Sequence, residues 1–134
     1  MANTTFSGPV RSENGFDMIT KNATTGAVTA NASYDKGIRG GVQTLTGAGA
    51  VDLTNLITEL TTTGADALTL ADGTTSGQVK IVNMIVDGGD GTLTPVTFAN
   101  GTTITFDAVA ESATLVWNST IGLVATSVQG ATIA

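Results

Sequence analysis

The chain has 134 residues, with 5 Lys+Arg against 11 Asp+Glu for a formal net charge of −6, and it contains neither His nor Cys. This composition excludes Ser-His and Cys-His nucleophile pairs, zinc sites with nitrogen or sulfur ligands, haem and iron–sulfur centres, and disulfides. Aromatic residues amount to 4%, which together with the negative charge argues against base-stacking platforms and phosphate-reading surfaces, so no nucleic acid partner is expected.

The residue mix points to fold class. There are 17 Gly and 26 Thr, with 41% hydrophobic and 12% charged residues. Thr and Val suit a pleated, half-buried surface and Gly supplies turns, which predicts an all-β protein: an antiparallel sandwich or small barrel-like body with an extended N-terminal arm. The charged fraction is about half the ~25% of an ordinary domain, too little to keep strand edges apart by repulsion, so something must cover those edges. No stretch approaches ~18 uncharged apolar residues, and Met1-Ala2-Asn3-Thr4-Thr5 lacks the basic and apolar regions of a signal peptide. A soluble chain made in a cytoplasm, with no membrane partner, is the expectation.

Residues 1–40 carry a net charge of +1 and residues 41–134 a net charge of −7. Ser7-Gly8-Pro9, Glu13-Asn14-Gly15, Thr25-Gly26 and Lys36-Gly37 punctuate the first part, where apolar residues are sparse. Residues 1–40 therefore read as an arm or outlying hairpins, and residues 41–134 as a compact antiparallel β body. Val42-Gln43-Thr44-Leu45, Val51-Asp52-Leu53 and Ala67-Leu68-Thr69-Leu70 alternate apolar and polar residues, as half-buried strands do. Leu53, Leu56, Ile57 and Leu60 fit a helical template, but the flanking Thr61-Thr62-Thr63 and the alternation of Val51, Leu53 and Ile57 favour extended structure. Val79 to Val86 is either buried on both faces or bulged near Ile81. Asn100-Gly101, between Thr92–Phe98 and Thr102–Phe106, is a hairpin signal. Ala113–Trp117 and Leu123–Val128 complete a meander of about seven to nine strands. Val79, Ile81, Met84, Ile104, Phe106, Leu115 and Trp117 form the expected core.

Chemistry-bearing patterns are few. Asp87-Gly88-Gly89-Asp90-Gly91 has neither the spacing of an EF-hand nor that of a calcium-binding β-roll, and reads as a solvated turn. A carboxylate pair for glycoside hydrolysis would need a cleft and aromatic sugar platforms, and Trp117 and Tyr34 are the only large polar aromatics. Gly37-Ile38-Arg39-Gly40-Gly41 and Gly47-Ala48-Gly49 lack the Lys-Ser/Thr of a phosphate-binding loop. No enzymatic activity, metal or cofactor is expected.

Two blocks carry a family likeness. The first is Thr61-Thr62-Thr63-Gly64-Ala65-Asp66-Ala67-Leu68-Thr69-Leu70-Ala71-Asp72-Gly73, followed by Gly77-Gln78-Val79-Lys80, Asp87-Gly88-Gly89-Asp90-Gly91-Thr92-Leu93-Thr94-Pro95 and Thr102-Thr103-Ile104-Thr105-Phe106-Asp107. The second is the opening Ser7-Gly8-Pro9-Val10-Arg11-Ser12-Glu13-Asn14-Gly15-Phe16. Together they resemble small virion proteins of marine tailed bacteriophages, from which Gly122-Leu123-Val124-Ala125 departs at a place where that group carries another Trp. The resemblance implies a phage capsid decoration (cement) protein: a homotrimer on the capsid exterior, partnered by the major capsid protein and made in the host bacterial cytoplasm. The alternative is a tail-fibre, tailspike or baseplate component that binds a host glycan. Phe6, Arg11, Phe16 and Lys21 are the candidate capsid or intersubunit contacts, because an acidic body meeting an acidic shell needs a less acidic segment to make first contact.

Overall fold

A computed structural model describes residues 16–34 and 39–134. The chain divides into two compact units, Met1–Gly40 and Gly41–Ala134. In the first, β1 (Phe16–Lys21), β2 (Val28–Tyr34) and β3 (Arg39–Gly40) form an antiparallel three-stranded sheet in that order. The β1–β2 turn closes where Asn22 Oδ1 accepts the backbone N–H groups of Thr24 and Thr25, both at 2.9 Å, a side-chain substitute for backbone turn bonding.

The second unit contains β4 (Val42–Thr46), β5 (Gly49–Val51), β6 (Ile57–Thr61), β7 (Asp66–Leu70), β8 (Val79–Val86), β9 (Gly91–Pro95), β10 (Ile104–Phe106), β11 (Ser112–Asn118), β12 (Gly122–Gln129) and β13 (Thr132–Ile133). They build a sandwich of two five-stranded sheets, ordered β12-β11-β8-β6-β4 and β13-β10-β9-β7-β5. Among the described residues no helix is long and apolar enough to cross a membrane.

The expected sandwich is present, but its sheets are mixed rather than antiparallel. From β4 to β9 the chain changes sheet at every connection, so strands two apart in sequence stack in parallel: Val42, Ile57 and Ile81 are successive partners in one sheet, and Gly49, Leu68 and Leu93 in the other. Three coils, β4–β5, β6–β7 and β8–β9, thus lie one on another. After β9 the chain reverses, and β10, β11, β12 and β13 add antiparallel strands to the last coil, leaving β12 and β13 as the edge strands of that end.

The physical reason lies in the corners. Gly47, at φ 72°, and Gly89, at φ 141°, turn the chain across to the other sheet instead of back along its own. The corners also stack, through bonds from Gly47 N to Thr61 O (2.9 Å), Thr62 N to Val86 O (3.0 Å) and Asp66 N to Asp90 O (2.8 Å). A Cβ on Gly88 would run into the Thr62 carbonyl oxygen, so only glycine permits this approach. Asp87 Oδ1 accepts Gly89 N–H at 2.9 Å, so this carboxylate shapes its own turn.

The core holds Val51, Leu60, Leu68, Leu70, Val82, Met84, Leu93, Ile104, Phe106, Leu115, Trp117 and Leu123. Met84, Ile104, Phe106, Leu115 and Trp117 sit where expected, whereas Val79 is 38% exposed and Ile81 only half-buried. On β8 the inward phase is Lys80, Val82 and Met84, and the irregularity lies at Ile85, which is skipped between the pairs Leu60–Met84 and Thr61–Val86. Over Val79–Ile81 the phase is opposite to the expected one because Lys80 buries its stem and finds polar partners inside. The 53–56 segment is non-helical and leads into strand β6. Asn100-Gly101 does not form a two-residue hairpin: β9 and β10 do pair antiparallel, but Asn100 Oδ1 instead accepts Ala125 N–H at 2.8 Å, and Asp72 holds Thr97.

Candidate functional site

Cross-strand register turns separate strands into surfaces. On the outer face of the β12-β11-β8-β6-β4 sheet, Val42, Ile57 and Ile81 form one row, and Val79, Val116 and Val124 a second beside it. Val42 is 48% exposed and the other four besides Val79 are half-buried, so six β-branched apolar side chains make a band across all five strands. The next row along, Thr44, Glu59, Asn83, Ser112 and Gln129, is polar and holds a single charge. Valine and isoleucine lose little side-chain freedom when ordered, which suits a face that another surface will cover.

The other sheet presents a different outer face. Ala67, Thr92, Thr105 and Thr132 align in one row, and Ala50, Thr69 and Thr94 in the next. Neither row contains a charge or an aromatic ring, so this face has no platform for sugars or bases. At the first-coil end of the sandwich, β4 and β5 are the edge strands, and among the described residues no strand pairs them on their free side. Val42-Gln43-Thr44-Leu45-Thr46 and Gly49-Ala50-Val51 carry no charge, Pro or bulge to discourage pairing with another edge.

Inside this end lies a polar cluster. Gln43 points inward, accepts Thr58 Oγ1–H at 2.7 Å and Asp52 N–H at 2.9 Å, and donates to Ala50 O at 2.9 Å. Lys80 is 1% exposed and donates from Nζ to Asn55 O at 2.9 Å, with Asp52 Oδ1 at 3.6 Å. Asp52 also accepts the backbone N–H groups of Thr54 (3.1 Å) and Asn55 (2.8 Å), and Asn55 Nδ2–H at 2.8 Å. Burial drives the Lys80 amine below its ordinary range against the opposing pull of Asp52. Burial acting alone would raise the Asp52 carboxyl, but the Asn55 bonds, the Lys80 charge and the Thr54 bond together hold it below its ordinary value.

Of the residues expected to make contacts, Phe6 and Arg11 lie outside the described residues. Phe16 opens β1 opposite Tyr34, and Lys21 ends β1 opposite Val28, exposed. Sequence reasoning missed both the apolar band and the Asp52–Asn55–Lys80 cluster. Lys80 did leave a signal, as the only cation in residues 41–134, placed within an apolar strand. No protein-family model matches the chain, and no curated protein matches it.

Proposed function

We propose that the chain is a capsid decoration (cement) protein of a tailed bacteriophage, a homotrimer seated on the outer surface of the major capsid protein lattice. The observation that carries this reading is the uncharged association surface: the six-residue apolar band on one outer face, next to the unprotected edge strands β4 and β5. Three copies related by a closed rotation would cover that band and those edges. Residues 1–40, with their +1 charge against −7 for the rest, supply the shell contact, with Phe6, Arg11, Phe16 and Lys21 as anchors. A subunit that binds only assembled capsomers stabilises the shell by mass action, and linking three weak contacts in one trimer multiplies the effect.

Antibody labelling of purified phage particles tests the reading. Label distributed over the head is the expected result. Label confined to the tail would overturn it in favour of a fibre or baseplate component.

A further inference from the structure

Asp52 bridges an amine and an amide. Its Oδ1 lies 3.6 Å from the Lys80 ammonium, and its Oδ2 accepts a 2.8 Å bond from the side-chain Nδ2 of Asn55. Lys80 Nζ is held on the same asparagine, through the backbone carbonyl at 2.9 Å. Two backbone N–H groups, from Thr54 and Asn55, fix the carboxylate, and Gly41 packs so closely on Asn55 Oδ1 that a Cβ there would collide with it. Nucleophile, proton carrier and leaving group are thus gathered in one place, with Lys80 buried and Asp52 and Asn55 half-buried around it, the arrangement in which intramolecular reactions gain most from orientation.

We propose that Lys80 and Asn55 close an intramolecular isopeptide bond, with Asp52 shuttling the protons. Asp52 takes a proton from the Lys80 ammonium, and the freed Nζ lone pair attacks Asn55 Cγ. Asp52 then delivers that proton to Nδ2, the Cγ–Nδ2 bond breaks as the carbonyl re-forms, and a second proton follows the same route from Nζ. Nζ–Cγ becomes an amide, the nitrogen leaves as ammonium, Asp52 ends as the carboxylate it began as, and nothing is oxidised or reduced. Burial of Lys80 favours the neutral amine that must attack. The bond would tie the 52–56 connection, between the first two coils, to β8 in the third, a covalent staple in a chain without cysteine.

Mass spectrometry of the full chain, denatured and digested with trypsin, tests this. Lys80 is the last of the five Lys+Arg residues and Arg39 is the one before it, so an unlinked chain yields separate fragments 40–80 and 81–134. The linked chain yields one fragment, 40–134, uncut at Lys80 and lighter than its sequence by about 17 Da, one ammonia. Cleavage at Lys80 would overturn the proposal even with that mass loss, since a succinimide at Asn55 loses ammonia but leaves the lysine free. An uncut fragment lighter by about 18 Da, one water, would put the bond on Asp52 and overturn the assignment to Asn55. D52N, which keeps an oxygen for both backbone donors, is expected to show full mass and cleavage, and a linked D52N would overturn the role given to Asp52. Should D52N fail to fold, the wild-type digest still decides whether the bond exists.

Discussion

Lys80 decides which face of β8 is inside. A lysine head is tolerated in a core only where charge and hydrogen bonds replace water, and Asn55 O and Asp52 provide both. With Val82 and Met84 following it inward, Val79 is left outside, so truncating these positions has unequal effects. Leu115→Ala and Ile104→Ala, both fully buried, should each lower stability by about 2–5 kcal/mol through lost transfer energy and cavity formation. Val79→Ala should change it by less than about 1 kcal/mol. Urea denaturation with unchanged m-values checks the contrast, and equal losses at Val79 and Leu115 would mean the phase of β8 is reversed. Asp52 gives this cluster a pH signature. Its folded-state value lies below its ordinary 3.8, so its contribution is complete above that pH and is lost as pH falls through the folded value. Between pH about 5 and 2, stability should therefore fall less steeply in D52N than in the wild type, and this holds for a cross-linked wild type too, because the backbone N–H groups of Asn55 and Thr54 still hold the carboxylate and the cross-link itself adds no titrating group. Parallel slopes in the two proteins would show that Asp52 titrates normally.

Alternation made most strands of the second unit legible: β7, β9, β10 and β11 each place apolar residues on one face in the sequence and in the fold. What alternation does not carry is the partner. A glycine pair that reverses a strand and a glycine pair that passes it to the opposite sheet read alike, so Asp87-Gly88-Gly89-Asp90 suggested a turn without revealing a stacked coil. The apolar band was hidden for the same reason, since Val42, Ile57, Ile81, Val79, Val116 and Val124 become neighbours only once register is known. The Asp52–Asn55–Lys80 cluster depends on a backbone carbonyl, which has no sequence signature. Stacking of corners makes its own prediction. Gly88→Ala forces a methyl against the Thr62 backbone and should lower stability by more than about 2 kcal/mol, whereas a Cβ at Gly64 meets nothing within 4 Å and Gly64→Ala should stay within about 0.5 kcal/mol. Thermal melts of the two variants compare them directly. Equal shifts would count against the corner packing.

At the scale of the molecule, the two ends of the sandwich are unequal. The far end is built of antiparallel strands, and backbone bonds join its edge strand β12 at Leu123 to Thr97 and Ala99, while among the described residues the first coil offers β4 and β5 as unpaired, uncharged edges next to the apolar band. A chain with 12% charged residues and no disulfide has little else with which to keep such edges from random pairing, so a defined symmetric partner is the physical remedy. The shell-binding reading builds on that step: a trimer presents three copies of the less acidic residues 1–40 to one surface, where a monomer presents one.

Association through this surface is what light scattering of the full-length protein at micromolar concentration measures. The expected mass is about three times the 13.4 kDa subunit, and placing charges in the band with Val42→Lys and Val79→Lys should reduce it to that of a single chain without unfolding it. A wild-type protein that stays monomeric, or a doubly charged variant that remains trimeric, would contradict the account.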